Sequence, residues 1–234
     1  MKSFIQHRLT KRELNELVQY VSYHLNWVPK NPVYAIFTKT ADEFATWYQT
    51  CYMEPEEVAD LSKNTTAFYD QSNYTIVFRG FSYVKGVEID QFIFTMATVI
   101  HEIMHHFQYT SGGGYGSYNT LIEGTADLLT MFLLGESTEM IDYKIEALLT
   151  YNMAMEICGH NFWETIRWIK RYMVHSSKNR FVHKELKNCA AFAKYKPQKL
   201  MKLVEDNSPE LPEQFRKYKF SDMTRLLEKY RSLI

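Results

Sequence analysis

The chain has 234 residues, 46% of them hydrophobic and 23% charged, with 27 basic and 27 acidic side chains and a formal net charge of zero. That composition excludes a disordered chain and leaves ample sequence for a buried core in one large domain or two small ones. Three scattered cysteines (Cys51, Cys158, Cys189) make neither a disulfide framework nor a Cys-x-x-Cys metal site. No apolar run approaches membrane-span length, and "MKSFIQHRLTKREL" has no apolar core of signal-peptide length. We therefore expect an intracellular protein.

The charge is unevenly spread. Residues 1–85 carry nine Lys/Arg and nine Asp/Glu; residues 86–143 carry eight Asp/Glu and no Lys or Arg; residues 144–234 carry eighteen Lys/Arg against ten Asp/Glu. A basic last third can attract nucleic acid or anionic lipid. Solvated helix faces are the plainer reading of the same residues.

In chain order, "RELNELVQYVSYHL" (12–25) has helical apolar spacing, and "VYAIF" (33–37) after Pro32 reads as a strand. "TADEFATWYQTCY" (40–52) reads as a helix with Thr40 as N-cap and Glu43 three residues later. "NYTIVFRG" (73–80) is β-branched and aromatic, a second strand. "IDQFIFTMATVIHEIMHHFQY" (89–109) is a long helix, "TSGGGYGSY" (110–118) a glycine-rich connector, and "TLIEGTADLLTMFLL" (120–134) a helix closed by Gly135. Beyond residue 138 the pattern is helical, broken near Gly159 and by Pro197, Pro209 and Pro212. A mixed first third followed by helices predicts an α+β fold in a single domain, with an α/β part over 1–88 and a helical part over 89–234.

His101 and His105 lie four residues apart in the long helix. That spacing puts both imidazoles on one face, one turn apart, where both reach a single ion at about 2.0–2.1 Å. Glu102 points beside such an ion, where a base for a water must sit; His-Glu-x-x-His on a helix is the signature of zinc hydrolases. The competing reading makes the histidines core residues bonded to carbonyls. His106 lies about 140° around the helix from His101 and is expected to be a wall or packed residue.

Zinc catalysis takes three protein ligands and leaves a position for water. A third histidine six residues after the second is ruled out, because position 111 is Ser111. Glu123 remains, with Asp127 one turn on. Like charges at this spacing destabilise a helix by roughly 0.2–0.5 kcal/mol, and no basic residue from 86 to 143 compensates. A divalent cation resolves the conflict, with Glu123 as ligand and Asp127 orienting a ligand histidine. Two alternatives stay open: Thr120 and Glu123 as a capping box, or Asp127 as the ligand with Glu123 in support. Gly124 costs about 1 kcal/mol against alanine in mid-helix, which points to close approach of another helix, for which the histidine helix is the candidate.

"HEIMH" followed by "EGTAD" resembles the gluzincin metallopeptidases, the thermolysin-like group. "VIHEIMHHFQ…LIEGTADLL" looks most like the plant basic secretory protein peptidases and related peptidase-MA-type domains. The likeness covers residues 99–134, with the preceding strand loosely included. It implies a zincin-like fold, one catalytic Zn²⁺ on His101, His105 and Glu123, Glu102 as catalytic base, and Asp127 behind the ligands. It also implies a peptide or protein substrate added to an edge strand that carries Tyr74, Thr75, Ile76, Val77 and Phe78. Thermolysin-like enzymes draw an oxyanion donor from the helical half; Tyr143, Tyr151 and His160 are the candidates, and Tyr115 on the glycine loop can line a cleft. The chain departs from the secreted family in its neutral overall charge and in its loop between ligands.

Two rival functions follow from the same residues. One is a metal-containing binding or regulatory module that does not cleave; the presence of Glu102 argues against it, since a purely structural zinc needs no base. The other is an anion- or nucleic-acid-binding helical protein that uses the basic residues 144–234, with salt-sensitive binding; it leaves residues 101–127 unexplained.

Overall fold

The structure is a computed structural model that describes residues 10–52, 65–79, 91–111, 119–134 and 143–175. The glycine-rich segment with Tyr115, Gly135, and the prolines at 197, 209 and 212 lie outside the described residues. The elements run α1 (Lys11–Leu25), β1 (Tyr34–Phe37), α2 (Ala41–Tyr52), β2 (Ala67–Asp70), β3 (Thr75–Phe78), α3 (Gln91–Thr110), α4 (Asn119–Leu134), α5 (Lys144–Ile157) and α6 (Phe162–His175). Helices with a small sheet bear out an α+β class at that level. Among the described residues no helix is long and apolar enough to cross a membrane.

The chain divides into two compact units, Met1–His106 with Thr224–Ile234, and Phe107–Met223. The division falls inside α3 rather than at its start, so His101, Glu102 and His105 belong with the sheet.

In the first unit, α1 starts at a capping box: the Glu13 amide donates to Thr10 Oγ1 at 3.3 Å and the Thr10 amide to Glu13 Oε2 at 2.7 Å. It ends at Asn26 in the left-handed conformation. Leu14, Leu17, Val21 and Leu25 recur at helical spacing and are buried. Thr40 caps α2 as its sequence predicts, accepting the Glu43 amide at 3.1 Å, while Glu43 reaches back to the Lys39 amide. Phe44 of α2 packs on Phe68 and Val77 of the sheet, with Trp47, Tyr48 and Cys51 around them. Burial and the Asp70 carboxylate push the Cys51 thiol up to about 11, which makes it an inert packing residue.

The sheet has the order β1-β3-β2, with β3 parallel to β1 and antiparallel to β2. This corrects the expectation for residues 74–78. Thr75, Ile76, Val77 and Phe78 form the central strand, paired through Tyr34–Phe37 on one side and Ala67–Asp70 on the other. A strand with both ladders filled has no amide or carbonyl row left for a substrate backbone. Tyr74 precedes the strand in the left-handed conformation (φ 52°). β2, which the sequence reading left without an element, supplies the second neighbour. It joins β3 through a turn in which Asp70 accepts the Ser72 amide at 2.9 Å and the Asn73 side-chain amide at 2.7 Å.

In the second unit, α4 is buried almost all round, with Leu121, Thr125, Ala126, Leu128, Leu129, Met131 and Phe132 all sequestered. It packs chiefly on α5. Gly124 is the closest point of that contact: a Cβ there would stand 2.7 Å from the carbonyl carbon of Glu146, and nearer still to that carbonyl oxygen and to Thr150 Oγ1. The close partner of Gly124 is therefore α5, and the expectation of the histidine helix is corrected. Gly159 and His160, both with positive φ, turn the chain from α5 into α6, where Asn161 accepts the Glu164 amide at 3.1 Å.

Gly124→Ala tests this crossing. Overpacking against backbone costs about 1–3 kcal/mol, more than the roughly 1 kcal/mol alanine returns in helix propensity. Urea denaturation should show a lowered midpoint; a midpoint unchanged or raised would contradict the contact.

Candidate metal centre

The site begins with the rotation of an α-helix. Residues four apart share a face, and each successive residue turns by about 100°. Among the described residues, the ligand-type atoms of His101, His105 and Glu123 all lie within 4.8 Å of one another. The Nε2 atoms of the two histidines are 2.9 Å apart and their rings stand nearly perpendicular, 4.6 Å between centroids. His101 and His105 are buried, whereas Glu123 is half-buried.

Two imidazole nitrogens and a carboxylate oxygen at this spacing form a cluster able to hold a metal ion. An ion with ligands at about 2.0–2.2 Å spans a donor-to-donor distance of up to about 4 Å, which the observed grouping meets with small adjustments. The donor set decides the kind of ion. Magnesium and calcium favour all-oxygen shells, whereas imidazole suits first-row transition ions and zinc. Without an ion, the 2.9 Å contact requires one Nε2 to carry a proton and the other to accept it. With an ion, both nitrogens present lone pairs to it.

Glu102, next to His101 on α3, is 5% exposed. It stands in the segment without basic residues, so its charge has no Lys or Arg neighbour in sequence from 86 to 143.

Asp127 is 3% exposed, and its Oδ2 accepts the backbone amide of Tyr143 at 2.9 Å. Tyr143 is the N-cap residue of α5, and its own side chain makes no cap hydrogen bond. Asp127 thus brings a negative charge to the positive end of a helix, a stabilisation that sequence reasoning did not assign to it. This α5 terminus relieves part of the Glu123–Asp127 repulsion. The case for a metal therefore rests on converging donors more than on repelling acids. Helix α4 begins at Asn119, which sets Thr120 inside the first turn rather than at the cap.

Of the proposed oxyanion donors, Tyr143 is exposed at the head of α5, Tyr151 is buried within α5, and His160 is exposed in the turn that follows. Burial raises the Tyr151 phenol above its ordinary range. The structure joins Tyr143 to α4 through Asp127.

His106 is fully buried and packed, as its angle on the helix predicts. Its Nε2 lies 3.0 Å from the Asn31 carbonyl, and its Nδ1 2.9 Å from the Tyr69 hydroxyl. A carbonyl only accepts, so Nε2 carries the proton. Burial pulls the imidazolium down to about 4, so the ring is neutral near pH 7 and Nδ1 accepts from Tyr69. This clamp holds the histidine turn of α3 to β2 and to the loop before β1. Sequence reasoning missed Tyr69 because β2 itself was unassigned, and missed the role of Gln108, whose side chain bonds α4.

Tyr69→Phe removes the donor to a buried acceptor and keeps the ring. Denaturation at pH 7 should show a loss of about 1–3 kcal/mol; an unchanged stability would contradict the clamp. Comparison with known proteins finds no matching family model, no matching curated protein and no matching solved structure.

Proposed function

We propose that the protein is a zinc-dependent metallopeptidase of the gluzincin type, with a zincin-like fold and His101, His105 and Glu123 as ligands. The observation that carries this reading is the grouping of those three donors within 4.8 Å, drawn from two helices. Support comes from the chemistry of the set: two histidines and one glutamate match the three-ligand pattern of catalytic zinc, which keeps a position for water. The local likeness of "HEIMH…EGTAD" to gluzincins points the same way.

A zinc ion in this place would supply Lewis acidity and lower the pKa of a water there toward about 7. Glu102 is the base: its carboxylate takes the proton of the attacking water and returns it to the leaving nitrogen of the peptide bond, a contribution of about 10²–10⁴-fold. His101, His105 and Glu123 would hold the ion, and Asp127 steadies α4 against α5 so that Glu123 keeps its place. Tyr143 is the favoured oxyanion donor of the three candidates, because it is exposed and its backbone is tied to the ligand helix.

Metal analysis of purified protein beside Glu102→Gln and Glu123→Ala tests the reading. Near-stoichiometric zinc is expected in the wild type and in Glu102→Gln, and weak zinc in Glu123→Ala, with peptide cleavage lost in both variants. Equal zinc in all three would move the ligand role away from Glu123. Cleavage that survives in Glu102→Gln would remove the proposed base.

A further inference from the structure

Gln108 lies three residues after His105 and seven after His101. Seven residues make two turns less about 20°, so the three side chains stand in one row along α3. Gln108 is 3% exposed. Its Nε2 donates to the Ile122 carbonyl at 2.8 Å and to Thr125 Oγ1 at 2.9 Å. Both hydrogens of the amide are thereby committed, and both acceptors are on α4. The Ile122 carbonyl can only accept, which fixes the amide with nitrogen toward α4.

The two acceptors bracket Glu123, one residue before it and two after it. Thr125 is fully buried and its hydroxyl is fully used: it donates to the Leu121 carbonyl at 2.6 Å, with the Ile122 carbonyl at 3.1 Å, and accepts from Gln108. A satisfied buried polar network is rigid and has one geometry. Sliding α4 by one residue moves it about 1.5 Å and turns it by about 100°, which breaks both amide bonds. The same slip would carry the Glu123 carboxylate away from its position.

We infer that Gln108 is a positioning residue for the metal centre: its amide locks the turn of α4 that carries Glu123 to the face of α3 that carries His101 and His105. This rests on the reading of those three residues as ligands. Supporting groups behind metal ligands alter affinity by about 10–100-fold when removed. Gln108 does so through the ligand's backbone rather than by touching the ligand.

The test is a double-mutant cycle read in zinc affinity, measured by competition with a chelating dye. Gln108→Leu has similar length and no donor. The Ile122 carbonyl remains part of its helix, and Thr125 keeps its Leu121 acceptor. Gln108→Leu should weaken zinc binding about 10–100-fold. In the Glu123→Ala background the same change should alter affinity by less than about threefold, because the group it positions is gone. Thr125→Val, nearly isosteric, should weaken binding in the same direction and carries the test if Gln108→Leu is not folded by circular dichroism. Unchanged affinity in both variants, or an equal loss with and without Glu123, would overturn the inference. Absence of zinc binding in the wild type would overturn the metal reading beneath it.

Discussion

Two imidazole nitrogens held 2.9 Å apart on one turn of a buried helix constrain everything around them. Each ring must either share a proton with the other or present its lone pair to a cation. Around them the helix buries a largely apolar surface, with Val99, Ile100, Ile103, Met104 and Phe107 all sequestered. Its register must therefore be fixed without bulk water to forgive errors. His106 fixes it on one side. It sits about 100° from His105 and gives both ring nitrogens to protein partners, Asn31 and Tyr69. Adjacent histidines thus take opposite roles because a helix turns them toward different neighbours.

Backbone and close packing hold the acid-bearing helix beside the site. Asp127 meets the N-terminus of α5. Gly124, which has no Cβ, lets α5 approach α4 at Glu146 and Thr150. Gln108 bonds α4 on either side of Glu123. Glu123 is thus flanked by three short-range ties, each of which needs a particular residue type: a carboxylate at 127, no side chain at 124, and an amide at 108. The basic last third plays little part in what is described, where Lys144, Arg167, Lys170 and Arg171 are its only cations. Arg167 pairs with Glu164 on an exposed helix face, and the Lys170 ammonium lies 5.1 Å from the Phe132 ring.

Much of this was legible in the sequence where the signal is local. Helical apolar spacing marked α1, the long α3 and α4, and the Thr40–Glu43 pair marked the start of α2. The i, i+4 histidines followed from periodicity, and chemistry made Glu123 the first of the candidates for a third donor. What was not legible depends on partners distant in sequence. "AFYD" is four residues long, buried on both faces, and so shows no alternation. Without β2, residues 75–78 looked like an edge when they are the centre. Gly124 announced a close approach but not which helix made it. The bond from the Tyr143 amide to Asp127, sixteen residues away, leaves no mark in the sequence. Gln108 did leave one: a polar residue continuing the row of His101 and His105 on an apolar helix.

The central claim is that His101, His105 and Glu123 bind a single ion together. Zinc K-edge X-ray absorption of the zinc-loaded protein measures this directly. The account predicts a first shell of nitrogen and oxygen at about 2.0–2.1 Å, with the outer-shell scattering of two imidazoles. Sulfur scattering at about 2.3 Å, or a shell without imidazole, would contradict it.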